Sequence, residues 1–269
     1  MRSIRIFAGV IAATALLTLS EAQTAAQPAE SAGAASPKAP DPSPPSTAIV
    51  LPATALDVVV GAAAAGNVEA MNLLGVLYTL GTQVPQDYSL AMYWFQKAID
   101  GGSADAMSNL ATMYLFGIGV SRDRVNARRW FERAAAHGNV HSMFSVAVMA
   151  EKGLGAARDL QLARAMYLRA AESGFAPAMI WLSNDYAHGS STKRDLVEAY
   201  SWLQVAMQSG LPEELQISTL SSMEAIEARL GPKRRDEARV RAANRIALVK
   251  TRALPADSKA PAPMRLSMN

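Results

Sequence analysis

From about residue 52 to residue 252 the apolar side chains recur at helical spacing, in short blocks separated by polar or glycine-containing turns. Val68 to Leu80 reads as one helix, with Ala70, Leu74, Gly75 and Tyr78 on a single face. Gly81 ends it, because glycine enters the left-handed conformation of a helix C-terminus without steric cost. After a short turn, Asp87 stands where an N-cap carboxylate accepts backbone N–H bonds, and a second helix runs to about Asp100. Ala91, Trp94, Phe95 and Ala98 are its inward residues. Small Gly75, Ala91 and Ala98 allow close approach, and large Tyr78 and Trp94 fill the space left.

This helical pair recurs every 36 residues: Gly66, Gly102, Gly138, Gly174 and Gly210 keep that step. So do Asp87, Asp123, Asp159 and Asp195, and so do Gly81, Gly117, Gly153 and Gly189. Ala91, Ala127, Ala163 and Ala199 make another column, and Ala98, Ala134, Ala170 and Ala206 a further one. Periods of this length identify stacked supersecondary units, each burying its apolar face on its neighbours. The ring columns Trp94, Trp130, Met166, Trp202 and Tyr78, Tyr114, Ala150, Tyr186 are weakest in the third repeat. A methionine column (Met71, Met107, Met143, Met179) is read as core packing, because it occupies the same place in every unit.

The expected organisation is all-α. Residues 51–65 form an N-terminal capping helix, 66–210 hold four repeats, and 211–252 fold into C-terminal capping helices broken at Gly231-Pro232. Residues 1–22 have a signal-peptide layout, with Arg2 and Arg5, an apolar run from Ile6 to about Leu19, and small Ser20 and Ala22. Cleavage after Ala22 and a periplasmic or secreted location are expected, with retention of the leader as an anchor the alternative. Residues 23–50 are dominated by Ala, Pro and Ser and read as a disordered linker, and 253–269 as a disordered tail.

The motif Ala70-x3-Leu74-Gly75-x2-Tyr78-x2-Gly81, followed by Val84-x2-Asp87-x3-Ala91-x2-Trp94-x3-Ala98, resembles the Sel1-like repeat, a relative of tetratricopeptide arrays. The turn Gly117-Ile118-Gly119-Val120 is similar to that of the family, whereas Ala156 and Thr192 replace the turn valine in repeats three and four. The resemblance implies a right-handed superhelical solenoid of α-hairpins acting as an adaptor or scaffold. For an exported member it implies work in cell-envelope assembly, polysaccharide export or host contact.

Composition narrows the chemistry. With no cysteine, a thiolate nucleophile and a Cys-bound zinc are excluded. The net charge of +3, or +2 once Arg2, Arg5 and Glu21 leave with the leader, offers nucleic acid no support. His137 and His141 are four apart, but Gly138-Asn139 separates them and no carboxylate completes a ligand set nearby. Ser190-Ser191-Thr192-Lys193 has a Ser-x-x-Lys spacing but falls in an inter-helix turn without the partner motifs of a serine acyl-enzyme. No catalytic, cofactor or metal residues are expected.

Binding is expected at positions that break the columns. Trp181 stands where other repeats have Leu73, Asn109 and Ser145, and Phe116, Phe144 and Ile180 add apolar surface to the same concave groove. The last helix gathers basic residues, among them Arg234, Arg235 and Arg241, against only Asp236 and Glu237. A solvated face is its usual meaning, and contact with anionic lipid or acidic polysaccharide its functional one. A protein partner in the groove is the first reading. An envelope polysaccharide or peptidoglycan ligand is the alternative, with any membrane contact peripheral, through the basic helix.

Overall fold

The computed structural model describes residues 53–253. The leader, the linker and nearly all of the tail lie outside them. Eleven helices and no strand occur among the described residues. They are α1 (Ala53–Ala64), α2 (Val68–Leu80), α3 (Tyr88–Asp100), α4 (Ala104–Phe116), α5 (Arg124–Ala136) and α6 (Val140–Lys152). Then follow α7 (Leu160–Glu172), α8 (Ala176–His188), α9 (Leu196–Gln208), α10 (Glu213–Glu227) and α11 (Pro232–Ala253). Helices α2 to α9 are the four hairpins of a helical solenoid, each placing an A helix before a B helix.

The caps explain why the boundaries repeat. Asp87, Asp123, Asp159 and Asp195 each accept two backbone N–H bonds from the first turn of their B helix, at 2.8–3.3 Å. Gly81, Gly117, Gly153 and Gly189 all take left-handed φ angles of 66–76° at the end of the A helix. The aspartate N–H then reaches back to the carbonyl of Tyr78, Tyr114, Ala150 or Tyr186 at 2.8–3.0 Å, closing each turn with the same bond. Asn67, Ser103 and Asn139 cap the A helices α2, α4 and α6 through their side chains, whereas Phe175 gives α8 no such bond and Pro177 follows it. One turn position requires glycine outright. At Gly155 (φ +77°) a Cβ would lie 2.3 Å from the Arg124 carbonyl oxygen.

Two compact units divide the chain, one ending at Ala163 and the other beginning at Arg164, within the B helix of the third repeat. In the first, helices α1 to α6 pack in sequence, and the A helices α2 and α4 also meet. There Asn109 Nδ2 donates to Asn72 Oδ1 at 2.9 Å. In the second, α9 is the hub, packed on α8, α10 and α11.

Of the two rings the sequence places inward on α3, Phe95 and not Trp94 marks the core column. Phe95, Phe131, Tyr167 and Leu203 are each at most 1% exposed, while Trp94 and Trp130, one residue earlier, are only half-buried. Gly75 shows why: a Cβ there would stand 2.5 Å from the Phe95 ring, so the missing side chain is the seat of that phenyl group. Trp94 packs against the edge of the Leu73–Leu74–Leu77 cluster. Trp202 alone of its column is buried, at 2%, and there α11 supplies the cover. The methionine column is core, with Met107, Met143 and Met179 buried.

Helix α11 docks through Ala238 and Ala242, which are 0% and 2% exposed, while Val240 points to solvent at 61%. Alanine on the contact stripe lets two helix backbones approach closely, and flanking arginine stems cover the remaining apolar surface.

Candidate interaction surfaces

Each side chain selected from the sequence has a definite place. Phe144 is buried in α6 at 4% exposure, and Phe116 is half-buried at the end of α4. In the second unit Ile180 packs against the cluster of Val197, Tyr200 and Leu203. Trp181 lies half-buried against Tyr167, the ring centroids 3.9 Å apart and the planes 21° from parallel. One face of that indole is therefore occupied by a core tyrosine, a stacking that holds the ring in a single orientation.

The basic residues of α11 meet carboxylates of their own unit. Arg241 and Arg245 both donate to Glu198 of α9, and Arg245 also donates to the Ser201 hydroxyl and lies over the Trp202 ring at 4.4 Å. Arg235 and Arg239 share Glu227 of α10 at 3.2 and 3.7 Å. Arg234 approaches Asp195 only to 3.9 Å and stays more than half exposed. The Tyr200 hydroxyl also donates to Glu227, at 3.4 Å, and its pKa is pushed up by burial and by that neighbouring negative charge. The helix that reads as a solvated cationic face is thus an ion-paired seal over the end of the repeats.

A second exposed cationic face lies on α5, outside the candidate residues read from the sequence. Arg124, Arg128, Arg129 and Arg133 share this thirteen-residue helix with a single carboxylate, Glu132, which pairs with Arg128 at 2.8 Å. Arg133 lies over the Trp130 ring at 4.7 Å. Asn126, Arg129, Trp130, Glu132, Arg133 and Ala136 line an open surface cleft of about 560 Å³. At the head of the helix, the Asn126 N–H bonded to Asp123 holds that carboxyl below the usual aspartate range, with Arg129 adding a smaller attraction. The local signal was present in Arg124–Arg133, four arginines against one glutamate around a tryptophan.

A polar cluster centred on one buried carboxylate joins the third and fourth repeats. Asp185, only 3% exposed, accepts from Ser191 N and Ser191 Oγ, both at 2.7 Å, and from Arg164 Nε at 3.2 Å. Arg164 also lies over the Tyr186 ring at 4.9 Å. Within Ser190-Ser191-Thr192-Lys193, then, the Ser191 hydroxyl is committed to tying the turn to its A helix.

His137 caps the end of α5 and His141 lies in the first turn of α6, so the two belong to different helices. Burial pushes the His141 pKa down, opposed by the nearby Asp105 carboxylate. The unfolded chain therefore takes up this proton first, near the ordinary histidine value of about 6.5. Stability is full above that pH and declines as pH falls through the lowered folded value. Urea midpoints measured from pH 7.5 down to about 5 should fall for the wild type and fall less for His141→Gln.

The Sel1 repeat model matches residues 68–103, 104–139, 140–175 and 176–211, more than half of the chain. The chain belongs to the Sel1 repeat family. Each matched segment begins at or beside the first residue of an A helix and ends just past a B helix, so the family unit and the physical hairpin coincide. A protective antigen of uropathogenic Escherichia coli strains, which displays the SLR fold, is similar at 26% identity and a TM-score of 0.63. The match covers 81% of this chain and 46% of that one, so this chain spans about half the antigen's length. A Sel1 repeat protein from Oxalobacter formigenes is similar at 26% identity and a TM-score of 0.60, over 74% of this chain and 78% of that one. Among curated proteins nothing matches. Sel1 repeats are typically protein-interaction scaffolds, and the repeat is a non-catalytic fold.

Proposed function

We propose that this Sel1 repeat protein is a non-enzymatic scaffold that holds protein partners in the cell envelope, using side chains presented by its A helices as a concave groove. The observation that carries the reading is the contrast between framework and variable positions. The B-helix caps, turn bonds and small-residue columns repeat in all four units, while accessible A-helix positions vary: Leu80, Phe116, Lys152 and His188 share one step, and half-buried Trp181 replaces the buried Leu73, Asn109 and Ser145 at another. A scaffold needs that division, because a constant frame then presents changing side chains along its length. The signal-peptide layout of residues 1–22 supports an exported location, and the resemblance to a protective antigen agrees with it.

The test is a crosslinking pull-down from intact cells of the source organism, comparing wild type with Trp181→Ala. Discrete proteins recovered with the wild type and depleted in the variant are the expected result. Recovery of envelope glycan without protein partners would overturn the scaffold reading in favour of a polysaccharide or peptidoglycan binder.

A further inference from the structure

The repeat itself supplies a template for a helix docking on a B helix. Glu198, Ser201, Trp202 and Val205 of α9 occupy the same register, 72 residues on, as Asn126, Arg129, Trp130 and Arg133 of α5. On α9 that face is covered. The alanine stripe of α11 packs on the hub helix, Arg241 and Arg245 converge on Glu198, and Arg245 stacks on Trp202. On α5 the same four positions line the open cleft of about 560 Å³, with the Trp130 ring half-exposed.

The charge on this register is reversed between the two helices. Where α9 offers a carboxylate to incoming arginines, α5 offers Arg129 and Arg133, neither of them ion-paired among the described residues. Arginine presents a planar fork that takes a carboxylate in two parallel bonds, and here its partner would also cover an aromatic ring. We infer that the α5 face is a docking site for an acidic amphipathic helix of a partner protein, seated as α11 is on α9, with glutamate or aspartate side chains on Arg129 and Arg133 and small residues against Trp130. The inference deepens the scaffold reading, on which it rests, by naming the chemistry of one partner.

A helix is favoured over a flexible polyanion because the template is helical, and because a tryptophan in the middle of the cleft rewards shape as well as charge. The probe is a fluorescent peptide of residues 232–253 in which the arginines at 234, 235, 239, 241 and 245 are glutamates, titrated into the full chain and followed by anisotropy. Saturable binding is expected, weakened at least about tenfold by Arg129→Glu with Arg133→Glu and by Trp130→Ala. Trp130 is half-exposed and packs outside the deep core, so its replacement leaves the fold available for the measurement. Equal binding by a scrambled peptide of the same composition would overturn the inference, since charge alone would then suffice. So would retention of only an anionic polysaccharide such as heparin, with the peptide unbound. In the cellular pull-down, partners lost with Trp181→Ala but kept with the double arginine variant would sink this site and leave the scaffold reading standing.

Discussion

Phe131→Ala is expected to lower the unfolding free energy by about 3–5 kcal/mol, while Trp130→Ala, one residue earlier, should cost about 1 kcal/mol or less. Phe131 is 0% exposed and occupies the column that Phe95, Tyr167 and Leu203 fill in the other repeats. Removing a fully buried ring from α5, whose start is fixed by the Asp123 cap, leaves a cavity whose lining loses its contacts. Trp130 is the larger residue, and side-chain size alone would rank the two substitutions in the opposite order. It lies half-exposed, however, beneath the Arg133 guanidinium, so its truncation loses partial burial and one cation–π contact. Urea unfolding followed by circular dichroism checks the pair. A Trp130→Ala loss equal to or larger than that of Phe131→Ala would show the core to be built on the tryptophan column.

The second large effect belongs to Asp185. Replacement by alanine should cost about 3–5 kcal/mol, as expected when one partner of a buried ion pair is removed. The loss is that high because three donors are stranded together: the Ser191 N–H, the Ser191 hydroxyl and the Arg164 Nε–H. Ser191→Ala removes only one of them and should cost about 1–2 kcal/mol. Limited proteolysis at the turn after α8 adds a local readout, since Asp185 ties this turn to its helix and should leave it open to cleavage when removed. An Asp185→Ala variant within about 1 kcal/mol of wild type would mean that water replaces the carboxylate at little cost.

How much of this was legible in the sequence depends on how far apart the deciding residues lie. Helix boundaries were legible almost to the residue, because caps act locally. Asp87 fixes the start of α3 and Gly81 the end of α2 without reference to anything distant. The choice between Trp94 and Phe95 as core residue was not legible. Adjacent positions differ by about 100° around a helix, and only the empty space at Gly75 selects the second ring. The meaning of α11 was hidden for a similar reason. Its arginines read as surplus charge until Glu198, 43 residues before Arg241 in the chain, is brought beneath them. Asp185 could have been found: its column otherwise holds Leu77, Met113 and Met149, all at most 1% exposed, so a carboxylate there had to be buried and paired. Trp181 is legible as a break in the column of Leu73, Asn109 and Ser145, but nothing local discloses that Tyr167 stacks against it.

The bond from each capping aspartate N–H back to the last turn of the preceding helix, repeated at Tyr78, Tyr114, Ala150 and Tyr186, has a consequence for how such a gene changes. Every hairpin satisfies its own turn, so an unequal crossover that adds or removes one whole period rejoins two seams that already match. A crossover that misses the period strands a cap and rotates every downstream helix off its neighbour. Lineages of this chain are therefore expected to differ in length by whole hairpins, with the ion-paired terminal helix carried along unchanged as the stopper.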